Sequence, residues 1–238
     1  MRRIFIGDVQ GCAEQLDALL AAVRIRSADR VVFAGDLVNR GPDSLGVLRR
    51  AHELEARSVQ GNHDLELLRV AARADGKRVR DERFRDIFAA ADGARLLGWL
   101  EAQPVILVDD DVVVVHGGLH PRWDDVAAVA DVINPRVARH VRGRPDPKID
   151  FAIHVRHCDA RGRRPAEDYP PPPPPFEPWD RFYRGRRTVV FGHWARRGLV
   201  VAPRVRGLDS GCVYGGALTA WIAEEDRIVQ VPGWRASK

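Results

Sequence analysis

Residues 3–41 read RIFIGDVQGCAEQLDALLAAVRIRSADRVVFAGDLVNRG, and this stretch decides the fold. Two short runs, 3–7 and 30–35, are apolar and rich in β-branched residues, and each ends at a Gly-Asp pair, which predicts buried strands that run into tight turns. Between them, residues 13–23 place Leu16, Leu19, Leu20 and Val23 on one helical face. Strand, helix, strand is the unit from which helix-covered sheets are built, and such sheets carry their functional loops at the carboxyl ends of the strands.

The alternation continues outward. Residues 43–54 and 65–74 read as helices on either side of a short strand at 57–60, and 84–103 as one or two more helices broken near Asp92-Gly93. The runs 105–108 and 112–115 flank three aspartates and predict a hairpin whose second strand leads into His116-Gly117-Gly118. Between 121 and 182 the signals weaken. Helices are expected at 123–133 and 137–141, a small hairpin from 151–156 with a turn at Arg161-Gly162, and a stiff polyproline II connector at 170–175, about 19 Å long at ~3.1 Å per residue. Strand character returns at 188–191, 199–202, 217–223 and 228–231, a second set expected to pack on the first sheet. The expectation is an α/β fold with a two-sheet β-sandwich core flanked by helices, one domain over residues 1–238, without internal repeats.

Composition sets outer limits. The chain has 238 residues, 45% hydrophobic and 30% charged, which excludes a disordered or fibrous protein. Lys+Arg number 38 against 33 Asp+Glu, a net charge of +5, and only Lys77, Lys148 and Lys238 are lysine. The excess is regional: residues 135–206 hold 17 Arg or Lys and 7 Asp or Glu. A polyanion-binding stripe and a solvated arginine-rich face both fit that pattern. Cys12, Cys158 and Cys212 are widely spaced, which excludes a disulfide framework or a zinc knuckle. The apolar run Ile4-Phe5-Ile6 is too short for a signal sequence, and no segment approaches the roughly 18 apolar residues of a membrane span. A cytoplasmic protein without a membrane partner is expected; the oligomeric state is not encoded in any feature of the chain.

Five polar clusters follow apolar runs: GDVQG at 7–11, GDLVNRG at 35–41, GNHD at 61–64, HGG at 116–118 and GH at 192–193. In each, a strand ends, glycine permits a tight turn, and an oxygen or imidazole group is left at the sheet edge. Asp8 and Gln10, two apart, point to one side of an extended backbone. With Asp36, Asn62, His116 and His193 they offer two carboxylates, two amides and two imidazoles, a mixed oxygen and nitrogen set suited to Mn, Fe, Zn or Co. Six such ligands suit two divalent ions that share a bridging group. A single Gly-Asp pair is ordinarily a turn, and GNHD alone is ordinarily a helix start capped by Asp64; all five clusters in order make a catalytic metal site the better reading.

This order, GD-x-[HQ]-G, GD-x-x-x-RG, GNH[DE], H-x-G and GH, resembles that of the phosphoprotein-phosphatase-like metallophosphoesterases, which have the calcineurin-like fold. Within that family GDVQGC, GDLVNRGPDSL, GNHDLELL, HGGLHP, FGHWA and LDSGCVYGGALTA are similar to the bacterial symmetrical diadenosine tetraphosphatases. The resemblance covers most of residues 4–220 and fades between about 124 and 187, so 121–187 reads as a variable, shortened, Pro-rich cap segment. It implies that Asp8, Gln10 and Asp36 hold one ion and Asp36, Asn62, His116 and His193 the other, manganese being favoured with Co, Fe, Zn or Mg as alternatives. It further implies His63 as the active-site imidazole, Arg40 as a phosphate clamp, and Asn39, Trp194 and Tyr214 as substrate contacts. Two positions depart from the pattern: many relatives have His where Gln10 stands, and protein phosphatases have Asp where Asn39 stands. Asn hydrogen-bonds an imidazole but does not offset an imidazolium charge.

The implied reaction is hydrolysis of diadenosine tetraphosphate to two ADP. ADP departs on a phosphate oxygen of a group with a second pKa of about 6, a far better leaving group than the alkoxide of a phosphoserine. Asn39 fits that weaker demand on His63. A Ser/Thr or Tyr phosphoprotein phosphatase is the alternative, as is removal of nucleoside-tetraphosphate caps from RNA. A phosphate- or RNA-binding protein without catalysis is disfavoured by the complete ligand set. The arginine excess, lying between His116 and His193, then reads as a cationic wall beside a polyphosphate site.

Overall fold

The computed structural model describes residues 1–74 and 81–235. Two five-stranded sheets form its centre. The first has β1 (Arg3–Ile6), β2 (Arg30–Phe33) and β3 (Arg57–Ser58) in parallel, joined through α1 (Ala13–Ala22) and α2 (Ser44–Glu53). The helix α3 (Asn62–Ala74) follows β3, and α4 (Arg85–Ala89) and α5 (Gly93–Glu101) lead to β4 (Ile106–Val108) and β5 (Val112–Val115), an antiparallel pair in the second sheet.

After β5 come α6 (Val126–Ile133), α7 (Val137–Val141) and α8 (Pro147–His154). The expected hairpin at 151–156 is not found, because those residues end α8; the small ladder pairs β6 (His157–Cys158) with β7 (Glu177–Pro178) instead. The proline run is likewise not one straight rod: the chain turns at Pro174-Pro175, where the Phe176 N–H donates to the Pro173 carbonyl. Next are β8 (Thr188–Phe191), β9 (Val200–Ala202), β10 (Val205–Gly207), β11 (Ala217–Ile222) and β12 (Arg227–Pro232). The late strands do not form one set. β8, β9 and β10 complete the second sheet, whereas β11 and β12 return to the first, with β11 antiparallel to β1.

Strand alternation explains the layering. Phe5 and Val32 of the first sheet meet Leu107, Val112, Val114 and Val190 of the second, and Phe5 stacks on Trp221 with ring centroids 5.3 Å apart. The alternate residues Ile4, Ile6, Val31 and Phe33, and Val113, Val115, Val189 and Phe191, belong to the larger apolar cluster that includes the helices. Strands buried on both faces read as continuous apolar runs, which is how they look in the sequence. Among the described residues, no helix is long and apolar enough to cross a membrane.

Candidate active site

The five clusters do come together. β1, β2 and β3 run parallel in one sheet, β5 and β8 in the other, and the loop after each contributes to one cavity or its floor. Ligand atoms of Asp8, Asp36 and His116 all lie within 4.8 Å of one another. These residues are 4%, 1% and 0% exposed, so their charges have little water to share.

Neighbouring backbone fixes each group. Asp36 Oδ1 accepts the His63 N–H at 2.9 Å, and Oδ2 accepts Gln10 Nε2 at 3.2 Å. Asp8 accepts the His193 N–H at 3.1 and 3.2 Å. His116 Nδ1 donates to the Ala34 carbonyl at 2.8 Å, so Nε2, 3.2 Å from Asn62 Oδ1, is the nitrogen that presents a lone pair once its proton is lost. His193 Nε2 donates to the His154 carbonyl at 3.2 Å, which leaves Nδ1 2.9 Å from the same Asn62 oxygen. Three acceptors thus converge beside the Asp36 carboxylate. Acceptors at such distances repel unless a cation lies among them, and the mixed donor set with locked imidazoles fits a divalent metal ion.

Charge in the site follows from this crowding. Burial and the charges of Asp209 and Asp36 push the Asp8 carboxyl well above the ordinary range. Burial also pushes at Asp36, but His116 and His63 outweigh it and hold that group below its usual value. Burial lowers the His116 imidazole, yet the Asp36 charge and hydrogen bond reverse the balance and raise it. His193 has no such offset; burial, then His116 and Arg156, push it well down, so it is neutral. His63 is lowered too, chiefly by burial.

Close packing enforces these positions. A Cβ on Gly61 would stand 2.1 Å from Asp36 Oδ1, and one on Gly192 would stand 2.0 Å from Asp8 Oδ1, so only glycine lets those carboxylates reach the cavity. Asp8 and Gln10 are not paired by an extended backbone as expected: Gln10 has φ 46°, a left-handed turn, and reaches Asp36 by that turn. Its amide nitrogen faces Asp36; a half-turn of the amide presents the oxygen instead. Asp64 does cap α3 by accepting the Gly61 N–H at 2.9 Å, and it also accepts from Asp36 and Leu37 N–H at 2.8 and 2.9 Å.

The cavity has a volume of about 550 Å³. Gln10, Asp36, Asn62 and His193 line it together with Arg40, His63, Trp194 and Tyr214, whereas Asn39 opens onto an adjoining groove. Arg40 Nε donates to His63 Nε2 at 3.1 Å, and its guanidinium carbon lies 5.6 Å from the Tyr214 ring centroid. Trp194 is 7% exposed and packed between His157 and Arg197, so little of its face is open for stacking a base. His120 does not line this cavity; it packs against Trp123 and Phe151.

Arg156 and Tyr169 were not found by reading the sequence, and Asp209 entered only within LDSGCVYGGALTA, with no role of its own. Asp209 follows β10, a sixth strand in the parallel arrangement, and is pushed up to about 6 mainly by burial. Strand β10 is only Val205–Gly207, too short for an alternation signal, and the residue it delivers was missed with it. Arg156 and Tyr169 come from segments without motifs, whereas Arg196 directly follows FGHWA and belongs to the arginine-rich segment. Arg196 lies over the Tyr169 ring at 4.6 Å, and Trp194 Nε1 donates to the Tyr169 hydroxyl.

Two helix-flanked sheets with Asp, Asn and His side chains gathered at the strand ends define the class of calcineurin-like phosphoesterases, whose family model matches residues 1–197. A symmetrical bis(5'-nucleosyl)-tetraphosphatase of Janthinobacterium sp. (strain Marseille) is 36% identical over 261 aligned residues, covering 95% of this chain and 94% of its own. A crystal structure described as that of a candidate diadenosine tetraphosphatase superposes with a TM-score of 0.77 at 34% identity, over 99% of this chain and 95% of its own. A cold-active protein-tyrosine phosphatase of a psychrophilic Shewanella shares the fold, with a TM-score of 0.65 at 18% identity over 96% of this chain and 77% of its own. The chain belongs to the symmetrical bis(5'-nucleosyl)-tetraphosphatase family of calcineurin-like phosphoesterases.

Proposed function

We propose that this hydrolase cleaves diadenosine tetraphosphate, and related dinucleoside polyphosphates, symmetrically to two ADP. The observation that carries the reading is the convergence of acceptors from Asp36, Asn62, His116 and His193 at the floor of one open cavity that Arg40 also lines. Asp8, Gln10 and Asp36 would hold one divalent ion and Asp36, Asn62, His116 and His193 a second, with manganese the favoured metal. Bound there, the ions supply positive charge that acidifies a water and neutralises phosphate oxygens.

The protein's own groups do the rest. Arg40 clamps the scissile phosphate with its planar fork, which matches two phosphate oxygens at once. On binding, it exchanges its bond to His63 Nε2 for phosphate; the ring then takes the Nε2–H tautomer, with Nδ1 accepting from Asn39 Nδ2, and Nε2–H donates to the departing oxygen. ADP leaves readily, so His63 need only donate a hydrogen bond, and a neutral imidazole held by Asn39 is adequate. Arg156 and Arg196 neutralise outer phosphates, and Tyr214 contacts the retained nucleotide. Segment 121–187 acts as the cap of a single domain and supplies Arg156 and Tyr169 to the cavity. Three buried free cysteines support a cytoplasmic location.

The test is turnover of diadenosine tetraphosphate by the manganese-reconstituted enzyme, with products separated by chromatography. Two ADP are expected. ATP plus AMP, or no turnover with any divalent metal, would overturn the reading.

A further inference from the structure

A substrate cut at its midpoint has two equal halves, and the cavity above accounts for one. An adjoining groove of about 650 Å³ is lined by Asn39, Arg40, Gly41, His63, Glu66 and Arg83. It shares Arg40 and His63 with the first cavity, so the two spaces meet at the residues that face the scissile bond. Both volumes lie within the range of small-molecule sites.

The two spaces differ in charge. The first has Arg40, Arg156 and Arg196 on its walls. In the groove, Arg83 is engaged by Asp81 at 2.9 and 2.6 Å and by Glu66 Oε1 at 2.6 Å, so among the described residues that line it there is no surplus positive charge beyond Arg40 to attract phosphate. An uncharged nucleoside fits there better than a phosphate chain does. Glu66 Oε2 accepts from Asn39 Nδ2 at 3.0 Å and lies 3.6 Å from His63 Nδ1, on the side of the imidazole away from Asp36, which is 3.9 Å from Nε2. A carboxylate there has lone pairs left for the vicinal hydroxyls of a ribose, the same match that acidic residues make in dinucleotide sites.

We infer that the Asn39, Glu66 and Arg83 groove is the seat of the departing nucleoside diphosphate, with Glu66 accepting from its ribose hydroxyls. This rests on the tetraphosphatase reading. In the reaction, a water oxygen bonds to one central phosphorus. The bridging P–O bond breaks with its electron pair on the departing half, and the protons of the water pass to solvent, so oxygen from water enters only the retained half.

That asymmetry gives the experiment. A tetraphosphate carrying adenosine at one end and 2′,3′-dideoxyadenosine at the other is hydrolysed in ¹⁸O-water, and the two diphosphates are weighed by mass spectrometry. The adenosine half should occupy the groove and depart, so label should favour the dideoxy product by threefold or more. Glu66→Ala should bring the ratio close to one, and Glu66→Gln should lower it. Equal labelling by the unmodified enzyme, or a bias that survives Glu66→Ala, would overturn the assignment. A triphosphate and monophosphate product pair, distinguishable by mass, would overturn the tetraphosphatase reading itself and this inference with it.

Discussion

Backbone conformation marks the site as plainly as chemistry does. Gln10, Asp36, Asn39, Arg40 and His193 all have positive φ, between 46° and 76°. A non-glycine residue in that region costs on the order of 1 kcal/mol, and such strain gathers where geometry serves function. The residues that converge at the cavity were legible because Asp, Asn and His beside glycine are chemically distinctive at any spacing. The left-handed turns were not, since nothing in Gln10 or Arg40 as residue types calls for them. His63 is the residue at which leaving-group chemistry is decided. Its ring lies between Arg40 Nε and Asn39 Nδ2, at 3.1 and 2.9 Å, with no carboxylate in direct hydrogen-bond contact to support a positive charge. Loss of a hydrogen bond should matter less to a departing ADP than to a departing alkoxide. We therefore expect His63→Ala to reduce kcat on an alkyl phosphomonoester at least tenfold more than on diadenosine tetraphosphate, measured with the same metal. Equal losses on both would count against this account of the imidazole.

Between elements, the site is held by loops that bond to one another more than to their own strands. Asp64, on the first turn of α3, accepts N–H groups from the loop after β2 and from its own helix start. It is 0% exposed, and burial together with the Asp36 charge pushes it up to about 6. Removing it strands three donors in the interior. Asp64→Ala should cost about 2–4 kcal/mol, since each unsatisfied buried group forfeits roughly 1–3 kcal/mol less whatever water re-enters; urea unfolding of the metal-free protein measures this, and a change below about 0.5 kcal/mol would show that the loops hold without it. Helix α8 has a comparable part. Its carbonyls at Ala152 and His154 accept from Gly117, Gly118 and His193 Nε2, so a helix without a motif fixes the tautomer of a cavity-lining imidazole. Sequence periodicity located α1, α2 and the strands β1, β2, β5 and β8 because long or strongly apolar segments carry a period. It misread 151–156 as strand because Phe151, Ile153 and Val155 alternate, whereas Ile149, Phe151, Ala152 and Ile153 are the buried positions of α8.

Across the whole molecule, the arginine excess is less concentrated than its position in the sequence implies. Arg163, Arg164 and Arg197 are paired with Asp159, Asp150 and Asp180 at 2.6, 2.6 and 2.7 Å. Arg184, Arg186 and Arg187 line a separate cavity with His120 and Trp123. Of the arginines in residues 135–206, only Arg156 and Arg196 line the active cavity, and Arg156 is 3.3 Å from Asp168. A count along the chain adds charges that the fold sends in different directions, so it does not predict a field. Within the arginine-rich segment, the charge at the cavity comes mainly from Arg196, stacked on Tyr169. Reversing that charge should weaken capture of a polyphosphate and remove part of its screening by salt, because exposed charges act over a Debye length of about 10 Å at 0.1 M. Arg196→Glu is therefore expected to raise KM severalfold and to flatten its increase between about 0.05 and 0.3 M salt. Arg163→Glu combined with Arg164→Glu should leave both quantities close to those of the unmodified enzyme. If the double variant shifts KM and its salt dependence as much as Arg196→Glu does, the wall is a diffuse property of the arginine-rich segment, and the cavity-lining arginine has no special part in drawing substrate in.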